Sequence, residues 1–300
     1  MYYFIVNPNS RSGKGALIWK ELRRTLRQKH VSYKAVFTEY RGHAVKLAAS
    51  VTAKASPEHP VYLIAVGGDG TIQEVLSGVK DLSCIYFGYI PTGSGNDFCR
   101  SMQLPQDPHE ALNCILKRKH IASMDVPVIS IKGRKSHFAI SCGIGFDAAV
   151  CHEVGVTPMK KVLNRVGLGK LVYLFVALKQ LLFLKPVPVT LRMDEERIYP
   201  FHKVYFAAVM NQKYEGGGFK FCPDASPSDG YLDVIVVDGL SKLKVLFCLP
   251  TAFWGKHTQF TGIHIFRCKK VEVFSTVPLA VHKDGESAGI QETFSVSIEK

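Results

Sequence analysis

The sequence lacks the cysteine and apolar patterns that mark several large classes of protein. Its eight cysteines include no CxxC pair, so neither a zinc site nor a thioredoxin-like redox motif is indicated. The longest apolar stretch, LVYLFVALKQLLFL at 171–184, is interrupted by Lys179 and Gln180 and falls short of the ~20 residues that a transmembrane helix needs. The N-terminal residues do not read as a signal peptide. These absences predict a cytoplasmic protein whose cysteines are reduced.

Acidic residues are scarce relative to basic ones, with 25 Asp and Glu against 38 Lys and Arg and a formal net charge of +13. This balance suits an anionic partner such as a nucleotide, a nucleic acid or a membrane surface. No aromatic-and-basic motif of a nucleic-acid-binding domain is present, so nucleic acid is not an expected partner. A hydrophobic content of 47% predicts an ordered globular protein, and a length of 300 residues predicts about two domains.

Strand-like and helix-like segments alternate over residues 1–128. Strands are predicted at 2–6, 33–38, 61–66 and 84–90, and helices at 14–29, 42–55 and 108–117, with short helices from Thr71 and near Asn96. This alternation is typical of a doubly wound α/β domain with a parallel sheet.

Residues 129–300 have a different pattern, with β-branched and aromatic runs interrupted by one helical region at 157–184. They predict an antiparallel, β-sandwich-like domain whose last strand could return to the first domain. The strand-like runs are MDVPVISI, HFAISCGIGF, VPVTLRM, KVYFAAVM, YLDVIVVD, KKVEVFST and FSVSIE. Trp19 and Trp254 are expected to be packing residues.

Three glycine-rich loops follow three of the predicted parallel strands. Ligands of such sheets bind at the carboxyl ends of the strands, and each loop leads into a helix whose N-terminus suits phosphate. The loops are NPNSRSGKG at 7–15, GGDGT at 67–71 and PTGSGND at 91–97. None matches GxxxxGK[ST] or GxGxxG, so neither a P-loop nor a dinucleotide fingerprint is indicated. One such loop would fit an ordinary strand-to-helix turn, but three in one sheet predict an anion-binding site.

Three aspartates lie in or near these loops: Asp69, Asp97 and Asp125. Carboxylates repel phosphate unless a cation lies between them or a ribose hydroxyl is the partner. The three acids are therefore candidate ligands of Mg²⁺, directly or through water. The alternative for each is an Asx turn or a helix cap.

GGDGT and PTGSGNDFCR are followed by three further blocks, GIGFDA at 143–148, GGGFKFCPDASPSDGYLDV at 216–234 and HKDGES at 282–287. Together the blocks resemble the diacylglycerol kinase catalytic-domain family, which includes bacterial lipid kinases and sphingosine and ceramide kinases. The resemblance extends from Asn7 to Glu286. GGDGT alone is shared with NAD kinases, whereas the later blocks resemble lipid kinases specifically.

The resemblance implies an enzyme that binds ATP and Mg²⁺ in a cleft between its two domains. Asp69, Asp97 and Asp125 would surround the catalytic Mg²⁺. A structural Mg²⁺ would lie at Ser226, Asp229 and Tyr231. The implied nucleotide contacts are Asn7, Pro8, Asn9, Ser10, Arg11, Thr38, Gly67, Gly68, Asp69, Gly70, Thr71, Ile72, Gln73, Glu74, Ser94 and Asn96. Gln73 and Ser94 depart from the family's usual Asn and Thr but keep hydrogen-bonding groups.

The HKDGES block resembles the segment that holds the family's general base. By spacing alone, Asp284 and Glu286 would fit a surface hairpin, because Asp-Gly is common in hairpin turns. In the loose transition state of phosphoryl transfer, a carboxylate of ordinary pKa can accept the proton of the attacking hydroxyl. The motif alone does not separate the two acids, and we take Glu286 as the acceptor and Asp284 as its essential partner.

The expected activity is therefore transfer of the γ-phosphate of ATP to a hydroxyl of a lipid. Diacylglycerol is the default acceptor, and undecaprenol, a sphingoid base, monoacylglycerol and phosphatidylglycerol are the alternative lipids. The alternatives are an NAD kinase-like enzyme with a soluble acceptor and a nucleotide-binding regulator without turnover. A lipid at a membrane surface is the expected partner, and a homodimer is the candidate assembly.

One segment suggests how such an enzyme would reach a membrane. No acidic residue lies between Glu153 and Asp194, and an apolar stretch occupies 171–184. The basic residues of the segment are Lys160, Lys161, Arg165, Lys170, Lys179, Lys185 and Arg192. This pattern predicts a helix in the membrane interface and peripheral association. The alternative is a helix packed on the β domain.

Overall fold

The computed structural model describes residues 1–119, 121–156 and 169–298, with side chains described in these ranges except at 155, 156 and 169–174. Lys160, Lys161 and Arg165 of the predicted membrane segment lie outside the described residues, and the side chain of Lys170 is also not described. The chain forms two compact units, Met1–Ala122 and Ser123–Lys300.

The first unit contains a parallel sheet with the strand order β2–β1–β3–β4. The strands are β1 (Tyr2–Val6), β2 (Tyr33–Phe37), β3 (Val61–Gly67) and β4 (Ile85–Pro91). The helices are α1 (Lys14–Gln28), α2 (His43–Thr52), α3 (Asp69–Gly78), α4 (Asp97–Ser101) and α5 (Pro108–Leu116). The predicted α/β architecture is confirmed.

Helix α1 shows why the first unit folds this way. Its buried face carries Trp19, Leu22 and Leu26, which pack against Phe4 and Val6 of β1. The other faces of the helix are largely basic and exposed, so burial of one apolar stripe fixes the helix on the sheet. The expectation that Trp19 is a packing residue is confirmed.

Helix α3 begins two residues before Thr71, where the sequence placed its start. Gly68 occupies the N-cap position in extended conformation, and its carbonyl accepts the backbone N–H groups of Thr71 (2.9 Å) and Ile72 (3.3 Å). Thr71 therefore lies in the first turn and does not cap the helix. The first turn also contains Asp69, so the acid of the GGDGT motif sits at the amino end of α3.

The second unit is built on a nine-stranded sheet with the order β11–β10–β9–β7–β12–β13–β5–β6, in which β8 pairs with both β12 and β9. The pairings are antiparallel, as predicted. The strands are β5 (Pro127–Ile131), β6 (Arg134–His137), β7 (Ser141–Gly145), β8 (Val187–Met193), β9 (Arg197–Met210), β10 (Leu232–Asp238), β11 (Ile263–Cys268), β12 (Lys270–Lys283) and β13 (Glu286–Ile298).

Helices cover part of this sheet: α6 (Phe146–Val156), α7 (Gly169–Phe183) and α8 (Lys242–Thr251). One buried cluster includes Val209 and Val234, and a second includes Ala208 and Ile235. Neighbouring residues of β9 and β10 thus enter different clusters, because successive side chains of a strand point to opposite faces. The second cluster also contains residues of α6, α7 and α8, which bury their inner sides against that face.

The predicted strand HFAISCGIGF is divided in the structure. β6 ends at His137, β7 covers Ser141–Gly145, and Phe146 already begins α6. Gly145, the last residue of β7, has a φ of 101° at the change from strand to helix. A Cβ there would lie 2.5 Å from the carbonyl oxygen of Tyr205. Only glycine fits this close approach. α6, α8 and β11 were not predicted.

The predicted boundary after residue 128 falls inside β5. This strand pairs with β13, and β13 in turn pairs with β12, so all three belong to the second unit. Among the described residues, no helix is long and apolar enough to cross a membrane.

Candidate active site

The three glycine-rich loops of the first unit contact one another at the carboxyl ends of β1, β3 and β4. The backbone N–H groups of Thr92 and Gly93 donate to the carbonyl of Gly67, at 2.7 and 3.1 Å. Asn7 Nδ2 donates to Thr71 Oγ1 at 3.2 Å. The motifs therefore form one continuous polar surface.

Ser10 and Thr92 join the first and third loops directly, with their hydroxyl oxygens 2.7 Å apart. Both side chains are buried. Thr92 was not among the predicted site residues, although it lies inside the PTGSGND loop. Its role is visible only once the loops are brought together.

The close packing of the loops explains several of the glycines without any ligand. A Cβ on Gly93 would lie 2.7 Å from the Cα of Gly68, so the two loop backbones touch. A Cβ on Gly15 would lie 2.2 Å from Ser10 Oγ. These glycines therefore allow the loops to pack closely, and an anion could contact only the groups that the loops expose.

The exposed part of the first loop is basic and strained. Arg11 and Ser12 have φ of 48° and 58°, and Gly13 has φ of 93°, immediately before α1 begins at Lys14. Arg11 and Lys14 are exposed. A depression in the same unit is lined by Arg11, Gly93 and Asn96 and also by the acids Glu21 and Asp107. Consecutive left-handed residues and cationic side chains are a suitable setting for phosphate.

Two of the predicted nucleotide contacts have other roles in the structure. Ile72 is fully buried in the core of the first unit, so its side chain cannot reach a ligand. The two carboxylate oxygens of Glu74 accept the N–H groups of Gly42 (2.8 Å) and Ala44 (3.2 Å). Glu74 therefore caps α2, because its charge is held by the helix's free donors.

The other predicted contacts divide by exposure. Asn9, Arg11 and Ser94 are exposed, whereas Ser10, Thr38, Gly67, Thr71 and Gln73 are buried, and Asn7, Pro8, Gly68, Asp69, Gly70 and Asn96 are intermediate. Gln73 Nε2 donates to Ser77 Oγ at 2.8 Å, which ties it to its own helix.

Asp69 and Asp97 converge in the first unit. The Asp69 carboxylate accepts the N–H groups of Asp97 (3.2 Å) and Phe98 (3.3 Å), so it caps α4. The carboxylates of both acids face Gly95, where an added Cβ would lie 3.3 Å from Asp69 Oδ2 and 3.9 Å from Asp97 Oδ2. Asp97 is buried and forms an ion pair with Arg100. Asp69 is thus a helix cap, and its position beside a second acid also fits the predicted metal network.

Tyr89 is a further residue of this region that the sequence did not single out. Its hydroxyl lies 3.1 Å from the carbonyl oxygen of Gly67 and 3.2 Å from Asn96 Oδ1. Burial, with a smaller contribution from the charge of Asp69, raises the pKa of the Tyr89 phenol well above its usual value. The neutral hydroxyl therefore supports both the second and third loops.

Asp125, the third acid of the predicted network, belongs to the second unit. Its Oδ2 accepts the N–H of Gly230 at 2.8 Å, and its own N–H donates to the carbonyl of Pro227 at 2.6 Å. It is therefore bound to the 226–231 loop, where the resemblance implies a structural Mg²⁺.

That loop already contains a positive charge. Asp229 accepts the N–H of Tyr231 at 3.0 Å and forms an ion pair with Arg267. The Arg267 guanidinium also lies over the Tyr231 ring, 4.4 Å from its centroid, and Ser226 Oγ is 3.5 Å from Ser228 Oγ. The Arg267 guanidinium thus balances the Asp229 carboxylate, and a structural Mg²⁺ at Ser226, Asp229 and Tyr231 stays a prediction.

The HKDGES block forms a two-residue hairpin turn between β12 and β13, with Lys283 paired to Glu286. Asp284 and Gly285 have φ of 47° and 75°, as a type I′ turn requires. The hairpin that spacing alone suggested is therefore present.

The two acids of the turn have opposite environments. Asp284 is buried, and its carboxylate accepts three backbone N–H groups, from Ala139 (2.8 Å), Ile140 (2.7 Å) and Ser141 (3.0 Å). Burial raises the pKa of the Asp284 carboxyl, and the three donors oppose that shift. Glu286 is exposed. Asp284 thus anchors the turn, and Glu286 is the acid of the turn that is exposed to solvent.

A buried cluster beneath this turn was not predicted. His282 is fully buried, with Nε2 at 2.9 Å from Asp147 Oδ2 and 3.4 Å from Glu215 Oε1, and Nδ1 at 3.3 Å from the Gly285 nitrogen. Burial lowers the pKa of His282, but the charges of Glu215 and Asp147 outweigh it and raise the pKa to about 9. Asp147 belongs to the GIGFDA block, His282 to the HKDGES block, and Glu215 immediately precedes the GGGF block, so the nearness of these residues to the blocks was the signal that could have found the cluster.

The same cluster contains donors that could hold a cation, since the ligand atoms of Asp147, Glu215 and His282 lie within 4.8 Å of one another. Mg²⁺ is bound mainly by oxygen, and one of these three donors is an imidazole nitrogen that already contacts both acids. We therefore do not assign the catalytic Mg²⁺ to this cluster.

Comparison with known families covers both units. The family model described as "Diacylglycerol kinase catalytic domain" matches residues 1–128. The model described as "YegS C-terminal NAD kinase beta sandwich-like domain" matches residues 141–297.

Individual proteins with names of the same kind are similar over nearly the whole chain. The chain is 31% identical over 294 residues to the Bacillus subtilis protein named "Putative lipid kinase YtlR", covering 96% of this chain and 94% of that protein. It is 29% identical over 285 residues to a Mycobacterium tuberculosis protein named "Diacylglycerol kinase", covering 93% and 87%. A crystal structure from Bacillus anthracis, described as "a putative diacylglycerol kinase", shares the fold with a TM-score of 0.72 at 23% identity, covering 100% of this chain and 95% of that one.

Proposed function

Because the chain belongs to the diacylglycerol kinase catalytic-domain family and is a lipid kinase by that membership, we propose that it transfers the γ-phosphate of ATP to a lipid hydroxyl. Diacylglycerol is the proposed acceptor and phosphatidic acid the product. Support for this acceptor comes from relatives that carry the name diacylglycerol kinase. YtlR is named only as a lipid kinase, so the acceptor is the finer part of the proposal.

In the first unit, the proposed nucleotide site is the surface of the three joined loops. Arg11, Lys14 and Ser94 are exposed there and would contact phosphate oxygens. Asp69 and Asp97 converge across Gly95 and would hold Mg²⁺. When bound, this ion neutralises charge on the transferring phosphate. The residues of the chain orient the nucleotide, which is most of what a protein contributes to this reaction.

The observation that carries the proposal is the division of roles in the β12–β13 turn. Three N–H donors fix the Asp284 carboxylate, so the turn and its left-handed backbone are held in place. Glu286 follows at the start of β13 with its side chain exposed. We assign Glu286 as the acceptor of the hydroxyl proton and Asp284 as the residue that positions it.

The test uses labelled ATP with a total lipid extract, then purified diacylglycerol, followed by identification of the labelled lipid. Glu286→Gln should lower turnover by about 10²-fold, a usual contribution of a general base, while ATP binding persists. Glu292→Gln is the matched control, because Glu292 is also an exposed acid of β13. Equal activity of the two variants would remove Glu286 from the mechanism.

An NAD kinase-like activity is the second candidate, because the model matching 141–297 is described as NAD kinase β-sandwich-like. Phosphorylation of NAD without lipid, and no labelled lipid from the extract, would favour it. ATP binding without any product would instead support a regulator without turnover.

We also propose peripheral association with a membrane, but not from the whole segment that the sequence suggested. Two of its basic residues are neutralised by acids from outside it, since Lys179 pairs with Glu153 at 2.6 Å and Arg192 pairs with Glu272. The charge available to attract an anionic surface is therefore smaller than the sequence count indicates.

A further inference from the structure

The second unit carries an exposed apolar surface that the proposed active site does not use. It consists of Leu182 and Phe183 at the end of α7, Leu243 and Phe247 of α8, and Phe253 and Trp254 in the 3₁₀ turn that follows. We call these six residues the α7–α8 surface. Phe183, Phe247 and Trp254 are 76%, 67% and 69% exposed. Exposed apolar side chains grouped in this way indicate an interaction site.

Helix α8 is apolar on both sides. Val245 and Cys248 are buried in the unit, and Leu243, Leu246 and Phe247 are exposed at 63%, 39% and 67%. A surface helix ordinarily places polar residues on its outer face. The exposed apolar residues of α8 therefore do not contribute to packing of the helix on its own sheet.

The end of α7 lies beside the start of α8. Lys242 Nζ donates to the carbonyl oxygen of Leu182, which joins the start of α8 to the end of α7. The Phe253 ring stacks on Phe219 with centroids 4.0 Å apart. The inner sides of both helices, including Val176 and Val245, enter the same buried cluster.

Basic residues predominate in the two chain stretches that form this surface, although exposed Asp224 follows Pro223, which lies against Gly255. Residues 239–271 contain no Asp or Glu, and neither do residues 154–193. Lys185, Lys244 and Lys256 are exposed within these stretches. Glu153, which pairs with Lys179, is the acid that lies beside α7. A basic rim around an apolar centre complements an anionic lipid surface, which offers phosphate groups above acyl chains.

We propose that the α7–α8 surface inserts into the interface of an anionic phospholipid bilayer. Phe183, Phe247 and Trp254 enter the boundary between headgroups and acyl chains, where tryptophan is favoured, and Lys244 and Lys256 contact phosphates. The inference rests on the proposed function, because a diacylglycerol acceptor resides in such a bilayer. It shares Leu182 and Phe183 with the predicted membrane segment and extends beyond it, since α8 and Trp254 lie outside that segment.

Trp254 provides a direct test. The chain has two tryptophans, and Trp19 is 5% exposed, so Trp19→Phe leaves Trp254 as the single reporter. Vesicles of phosphatidylcholine with phosphatidylglycerol should shift its emission to shorter wavelength, and lipids with brominated acyl chains should quench it. Added salt should weaken the effect.

Variants separate the apolar and the charged contributions. Leu243→Ala with Phe247→Ala should weaken vesicle binding at least tenfold, as removal of two inserted side chains predicts. Lys244→Glu with Lys256→Glu should weaken it by about tenfold or more and reduce its salt dependence. The matched control is Ile198→Ala, whose side chain is 62% exposed on β9.

The outcomes distinguish this inference from the proposed function. The α8 double variant should keep its turnover on a short-chain diacylglycerol dissolved below its micelle concentration, and lose activity on vesicles. A Trp254 shift that depends on protein concentration without lipid would show self-association and overturn the inference, as would vesicle binding unchanged in the α8 variant. Vesicle binding through this surface without phosphorylation of any diacylglycerol would support the inference and refute the proposed acceptor.

Discussion

Replacement of Asp284 by Asn is the sharpest test of the assignment of roles in the β12–β13 turn. The carboxylate accepts three backbone N–H groups at 2.7 to 3.0 Å in a buried setting. Asn has the same size but keeps a single acceptor oxygen and introduces two N–H donors. At least one of the three backbone donors would then face another donor.

The expected loss follows from the hydrogen bonds. A bond to a charged group contributes about 1.5–3 kcal/mol, and an unsatisfied buried donor costs about 1–3 kcal/mol. We expect Asp284→Asn to lower the free energy of unfolding of the second unit by about 2–4 kcal/mol. Turnover should also fall, because Glu286 follows the released turn directly.

Urea unfolding followed by circular dichroism, together with turnover on diacylglycerol, separates the two acids. Glu286→Gln should change stability by no more than about 0.5 kcal/mol, as is usual for an exposed site, while losing activity. Asp284→Asn should lose both. If Asp284→Asn unfolds like the wild type but has no turnover, Asp284 acts in the chemistry and the anchoring role is wrong.

Three further predictions concern other parts of the protein. Asp69→Ala should abolish turnover and also cost about 1 kcal/mol of stability, because it removes the cap of α4; retention of more than about a tenth of the activity would exclude Asp69 from the metal network. Gly93→Ala should weaken ATP binding, measured by calorimetry, because its Cβ would lie 2.7 Å from Gly68 Cα, and unchanged affinity would show that the loops can separate without loss. The pKa of His282 is raised from 6.5 to about 9, so its contribution to stability should be complete below pH 6.5 and lost as the pH rises through about 9. The free energy of unfolding, measured from pH 6.5 to 9, should depend less on pH in His282→Gln than in the wild type. An equal dependence on pH in both proteins would contradict the assignment.

Much of the fold could be predicted because it is encoded in neighbouring residues. The alternating pattern of residues 1–128 follows from the period of apolar side chains, and the Asp284–Gly285 turn follows from its own backbone preferences. The predictions of secondary structure were wrong where contacts with residues distant in the sequence determine the backbone conformation. The expected strand is interrupted at residues 138–140, where the N–H groups of Ala139 and Ile140 bind the carboxylate of Asp284, which is far away in the sequence.

The candidate site shows the same division. The motifs identify which residues belong to it, since each block carries its own glycines and acids in a fixed order. They do not show that Glu74 caps α2, that Ile72 is core, or that Arg267 balances Asp229. Each of these roles depends on a contact between segments that no local pattern records.

The sequence by itself determined the class of fold, the family and the set of polar residues from which a phosphotransfer site can be built, because these are properties of residue type and spacing. Only the tertiary structure decided which acid is buried and which is accessible in the same turn. It also placed Trp254, expected to be a packing residue, at 69% exposure. Burial is set by what packs on a side chain from elsewhere in the chain. For that reason the joining of α7 and α8 into one exposed apolar surface could be found only after the chain had folded.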